Sequence, residues 1–115
     1  MQAPITFQFT GQMSATGSPQ SYQQNKAIKV LIEGRVQGVW FRGWTVENAR
    51  RLKLDGWVLN RRDGSVQAVF SGPSELVDEM LQLCAEGPPS AEVRSVEHIA
   101  HNTPVDVGFR IKRSV

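Results

Sequence analysis

Hydrophobic periodicity changes abruptly across Gly34-Arg35-Val36-Gln37-Gly38-Val39-Trp40-Phe41-Arg42. That change constrains the fold more than any other feature. Before it, Ala27 to Arg35 alternates, with Ile28, Val30 and Ile32 on one side and Lys29, Leu31 and Glu33 on the other. This is the period-two pattern of a strand with one apolar face. After it, Phe41, Thr45, Ala49 and Leu52 recur at helical spacing and form one apolar stripe. Arg50, Arg51 and Lys53 fall in the last turn, where cations oppose the negative helix end. Asp55-Gly56 is the stop.

The run therefore joins the end of a strand to the start of a helix, where backbone N–H groups lack intrahelical acceptors. Gly34 and Gly38 permit a tight turn and close approach of a ligand. Arg42 brings a fixed cation to the same place. Donors, a helix N-terminus and a guanidinium together suit a phosphate-sized anion. The glycines taken alone are equally read as serving the turn. No Gly-Lys-Ser/Thr follows the run, and the glycine spacing is not that of a dinucleotide fingerprint. Both absences argue against nucleotide hydrolysis and redox chemistry.

Gly56-Trp57-Val58-Leu59-Asn60 reads as a second strand. Arg61-Arg62-Asp63-Gly64 is a hairpin turn, with Asp-Gly as its signal. Ser65 to Ser71 returns, with Val66, Ala68 and Phe70 on one side. Asn60 thus stands at a strand exit. Turn-forming is the ordinary use of Asn there; the functional reading is an amide that orients a water. Pro73 to Glu86 is a helix, with Pro73 in its first turn and Leu76, Val77, Met80, Leu81 and Cys84 as its apolar stripe. Gly87-Pro88-Pro89 ends it. Ala91 to Ala100 and Val107 to Arg113 read as later strands. The order strand, helix, strand, strand, helix, strand is the split βαβ arrangement.

These blocks resemble the acylphosphatase family. Gly34 to Arg42, then Gly56-Trp-Val-Leu-Asn60, then Asp63-Gly-Ser-Val66 occur in the family's order and spacing. The likeness covers roughly Ala27 to Arg113. It implies a ferredoxin-like α+β two-layer sandwich in βαββαβ order, an antiparallel sheet with two helices on one face. It also implies metal- and cofactor-independent hydrolysis of the carboxyl–phosphate bond of small acyl phosphates. Arg42 matches the family's phosphate-binding arginine and Asn60 the asparagine that holds the attacking water. The backbone N–H groups of Val36, Gln37, Gly38, Val39, Trp40 and Phe41 match the phosphate cradle. Arg61 departs from the small hydroxyl residue that some members carry there, and is expected to make the rim more basic.

The remaining residues narrow the field. The chain has 115 residues, 40% hydrophobic, with a formal net charge of +2, which suits one domain. Residues 1–25 contain no Asp, Glu, Lys or Arg and read as a flexible tail, leaving 26–115 as the domain. Ile5, Phe7 and Phe9 alternate briefly and offer an edge strand. No transmembrane run and no secretory pattern is present, so the cytoplasm is the default. Cys84 is the only cysteine and reads as packing. His98 and His101 have no companions at zinc spacing and read as surface or structural. Trp40 and Trp44 flank the loop, where packing is the first reading and acyl-group contact the second. Arg61 and Arg62 read as a solvated turn or as an attraction for anionic substrate.

Two other classes compete with a hydrolase. An RNA-binding module on this fold needs aromatics on its central strands, and Ser65 to Phe70 supplies only Phe70. A phosphate or carboxylate sensor needs no water-aligning amide, so Asn60 argues against it. The expected partner is a small acyl phosphate, without nucleic acid or membrane, acted on by a monomer. Carbamoyl phosphate stays open as the preferred substrate.

Overall fold

A computed structural model describes residues 24–115. The tail reading falls outside the described residues apart from its last two positions, as does the alternation at Ile5, Phe7 and Phe9. The described elements are β1 (Asn25–Arg35), α1 (Phe41–Arg51), β2 (Asp55–Asn60), β3 (Val66–Pro73), α2 (Ser74–Glu86), β4 (Glu92–Ala100) and β5 (Phe109–Ile111). They form one sheet in the order β4-β1-β3-β2-β5, with both helices packed on it. This is the ferredoxin-like arrangement, enlarged by one strand. The ladders β1–β3, β1–β4 and β2–β3 are antiparallel, whereas β5 joins β2 in parallel. The sheet is therefore mixed, because β5 runs alongside β2 rather than returning against it.

Register explains where the core lies. Ile28, Val30 and Ile32 stand opposite Phe70, Ala68 and Val66. Val58 stands opposite Ala68, and Asn60 opposite Val66. Side chains on one face of a strand recur every second residue, so this face is the apolar one. The helices cover it with Phe41, Ala49 and Leu52 from α1 and Val77, Met80 and Cys84 from α2. Phe70 and Phe109 stack with ring centroids 5.5 Å apart, which fastens β5 to the same core. Leu76 and Leu81 sit at the margin, partly buried. Burial pushes the Cys84 thiol up to about 12, so it remains protonated and inert as a packing residue.

Two helix ends differ from the sequence pattern. Pro73 is the N-cap of α2, with φ −56° and ψ 134°, rather than a residue of its first turn. Helix α1 ends before Asp55-Gly56. Lys53 takes φ 58°, its N–H donates to the Arg50 carbonyl, and that of Leu54 donates to the Ala49 carbonyl. That paired closure is a Schellman motif, with lysine in the place glycine usually takes.

Candidate active site

The loop between β1 and α1 forms one wall of a pocket at the end of the sheet. Its two glycines are needed for different reasons. At Gly34 the β1–β4 register shifts, φ is 134°, and a Cβ would lie 2.1 Å from the Glu92 carbonyl oxygen. Gly34 thus allows β4 to lie against the chain. Gly38 has φ 75° with open space where a Cβ would be, so conformation and access, not packing, call for glycine there. Trp40 also takes the left-handed region, with φ 69° and ψ 22°, and caps α1 without a side-chain hydrogen bond. Among the described residues, the N–H groups of Gln37, Gly38, Val39 and Trp40 donate to no protein acceptor. They border a helix start, so the loop offers several donors beside a positive dipole end.

The second wall comes from the β2–β3 hairpin. Because Asn60 lies opposite Val66, and Val66 opposite Ile32, Asn60 is on the helix-covered face. There it sits at the sheet's end, level with the loop. Its Oδ1 is buried and lacks a hydrogen-bond partner. A buried amide oxygen without a partner is costly and usually marks a functional group or a water. Arg42 is half-buried, and among the described residues its guanidinium enters no ion pair. Arg42 and Asn60 line one pocket of about 270 Å³ with Val36, Gln37, Trp40 and Ile111. Among the described residues, no carboxylate, histidine or cysteine lines it.

Gln37 joins the two walls. Its Nε2 donates to the carbonyls of Arg61 and Ser65, each at 2.8 Å. Only its backbone was expected to matter; no local pattern in the sequence shows a side chain reaching a hairpin so far along the chain. Ile111 was expected only as part of a strand. It stands opposite Val58 in the parallel β2–β5 ladder, which brings it beside Asn60. The hairpin itself is held by Asp63, which accepts from the Ser65 hydroxyl and N–H. Those hydrogen bonds from Ser65 hold the Asp63 carboxyl below its usual range.

The structure separates some residues from the pocket. Arg61, expected to make the rim more basic, does not line this pocket. It directly follows the end of β2 and lines a different hollow with Lys29, Leu31 and Gln67. Trp44 packs edge-on against Phe41 at 5.2 Å and belongs to the core margin. Val39 also packs on the core. His98 is exposed on β4. Among the described residues, no group of three His, Cys, Asp or Glu is placed to hold a metal.

Fold and pocket together define a ferredoxin-like domain whose loop and hairpin meet at one end of the sheet. The acylphosphatase family model matches residues 28–111. An acylphosphatase of Rhodospirillum rubrum is 50% identical over 90 residues, covering 78% of this chain and 99% of the relative. One from Rhizorhabdus wittichii is 50% identical over 91 residues, covering 77% and 90%. The structure of an acylphosphatase from Coxiella burnetii superposes with a TM-score of 0.74 at 33% identity, covering 76% of this chain and 93% of that one. The chain belongs to the acylphosphatase family.

Proposed function

We propose that this protein hydrolyses the carboxyl–phosphate bond of small acyl phosphates, using Arg42, Asn60 and the loop N–H groups. The enzyme class follows from family membership. The residue roles rest on one observation: among the described residues, a guanidinium in no ion pair and a buried amide oxygen without a partner line the same pocket as a loop with free donors.

The chemistry suits this inventory. An acyl phosphate is a mixed anhydride with a carboxylate leaving group, so positioning and charge stabilisation supply most of the catalysis. The N–H groups from Val36 to Phe41 and the Arg42 guanidinium hold the phosphate oxygens. Arginine suits the task because its planar fork bonds two oxygens at once. Asn60 Oδ1 accepts a hydrogen bond from water and turns its oxygen toward phosphorus. The new P–O bond forms as the bond to the acyl oxygen breaks, releasing carboxylate. With no carboxylate or imidazole among the described residues lining the pocket to act as a general base, a phosphate oxygen takes the proton. In this reading turnover is metal-independent, with charge on the phosphate opposed by Arg42 and the loop donors. We place the working form as a monomer in the cytoplasm, with 26–115 as its catalytic domain. Among the described residues, a lone buried cysteine suits a reducing compartment.

The test is turnover of benzoyl phosphate with chelator present, by wild type, Arg42→Ala and Asn60→Ala. Each substitution is expected to lower kcat/KM by about 10²–10³ while circular dichroism and melting stay unchanged. Wild-type turnover that survives Asn60→Ala rejects the role given to the water. A folded wild type without turnover rejects the hydrolase.

A further inference from the structure

Five large apolar side chains are exposed among the described residues: Trp40, Ile99, Val107, Ile111 and Val115. Scattered singly, such residues are ordinary surface. Two of them, Trp40 at 58% and Ile111 at 47% exposure, line the pocket that holds Arg42 and Asn60. They come from elements far apart in sequence, the loop before α1 and the last strand. The third residue in this arrangement is Gly43. A Cβ there would lie 2.1 Å from the Trp40 Nε1 and 2.8 Å from two other indole atoms. The indole is therefore laid over the first turn of α1, against the open side of Gly43. Trp40 also holds a left-handed backbone, which is uncommon for a bulky residue. A large exposed ring, a strained backbone and a glycine seat together mark a placed side chain.

We propose that Trp40 and Ile111 form the acyl-group subsite and set a preference for acyl phosphates with a planar or branched apolar acyl group. Small polar groups such as carbamoyl are disfavoured. This inference rests on the hydrolase reading above. The substrate has two unlike ends. Its phosphate takes the polar donors and Arg42, and its acyl group then faces what remains of the lining, the indole and Ile111. An aromatic ring gains contact area and a stacking partner there, whereas a carbamoyl amide loses water and finds no hydrogen-bond partner on either side chain. The indole is held in place before substrate arrives, so little ordering entropy is lost on binding.

The experiment compares kcat/KM for benzoyl, acetyl and carbamoyl phosphate in wild type, Trp40→Ala, Trp40→Phe and Ile111→Ala. The readout is the ratio between substrates, because damage to the phosphate loop lowers all three together and cancels. Wild type is expected to favour benzoyl phosphate by roughly 10–200-fold, the range an apolar pocket provides. Trp40→Ala is expected to reduce that ratio about tenfold, mainly through KM for benzoyl phosphate, and Trp40→Phe to restore most of it. Ile111→Ala, which leaves the loop untouched, is expected to reduce it severalfold. Active variants whose ratios stay within twofold of wild type overturn the subsite while leaving the hydrolase standing. A folded wild type inactive on all three substrates overturns the hydrolase and the subsite with it.

Discussion

The two ends of α1 treat their polar groups in opposite ways. At the C-terminal end the Schellman closure at Lys53 and Leu54 satisfies the last carbonyls. Arg50 donates twice to the Phe109 carbonyl, at 3.1 and 2.9 Å. Asp55 accepts from the Gly108 N–H at 2.8 Å. A hollow of about 480 Å³ lies there, lined by Arg50, Lys53, Asp55 and Arg110, and its volume exceeds that of the N-terminal pocket. Yet Arg50 and Asp55 are tied to backbone, and Arg110 to Asp106 at 3.0 Å. At the N-terminal end the loop donors, Arg42 and the Asn60 Oδ1 have no partners among the described residues. What sets the proposed site apart is therefore not hollow size or positive charge but polar groups withheld from internal bonding, each at a cost in stability that a ligand or water offsets.

Substitutions at the two ends should separate activity from stability. The largest effect is expected from Arg42→Lys, which keeps the charge and removes the fork. Turnover should fall by roughly 10²-fold with an unchanged melting temperature. Near-wild-type turnover would mean that charge alone suffices. Next comes Gln37→Leu, which removes the two hydrogen bonds to the Arg61 and Ser65 carbonyls, leaving each only its backbone partner in the hairpin, and uncouples the walls. We expect a loss of about 1–3 kcal/mol by urea titration and a parallel fall in kcat. A fall in stability alone would confine Gln37 to holding the hairpin. At the other end, Lys53→Gly relieves the left-handed lysine and should raise stability by about 0.5–1 kcal/mol, leaving kcat/KM as it was. The smallest effect is expected from Asp63→Asn. The folded-state pKa of Asp63 is depressed, so its contribution is full above the usual Asp range and lost as pH falls through the folded value. Acid-unfolding curves of wild type and Asp63→Asn should differ at neutral pH and converge in acid. A gap that persists at low pH would assign the effect to hairpin geometry instead.

Much of this was legible in the chain. The period change at Gly34 to Arg42 located the strand, the loop and the stripe of Phe41, Thr45 and Ala49, which is buried. Three short blocks pointed to the family because each reports a local backbone need. Contacts between distant segments were not legible. Gln37 reaches the hairpin and Ile111 reaches Asn60 only once β-sheet register is set, and periodicity carries face but not partner. The left-handed Lys53 was hidden for a related reason. Glycine at 56 resembled the stop, yet tertiary packing of Leu54 into the core decided where the chain turned. The parallel docking of β5 was equally invisible: Val107 to Arg113 read as a strand, but the pattern named neither its partner nor its direction, and only Phe109–Ile111 forms one.

The pairing of β1 has a consequence for how the molecule comes to be. It lies between β3 and β4, with Ile28 opposite both Phe70 and Ala100. Such remote pairings raise contact order, and chains dominated by them refold in about milliseconds to seconds rather than microseconds. The loop after β1 meets the β2–β3 hairpin only when those ladders close. Competence for catalysis should therefore return together with those ladders, at the rate at which the sheet recovers on refolding.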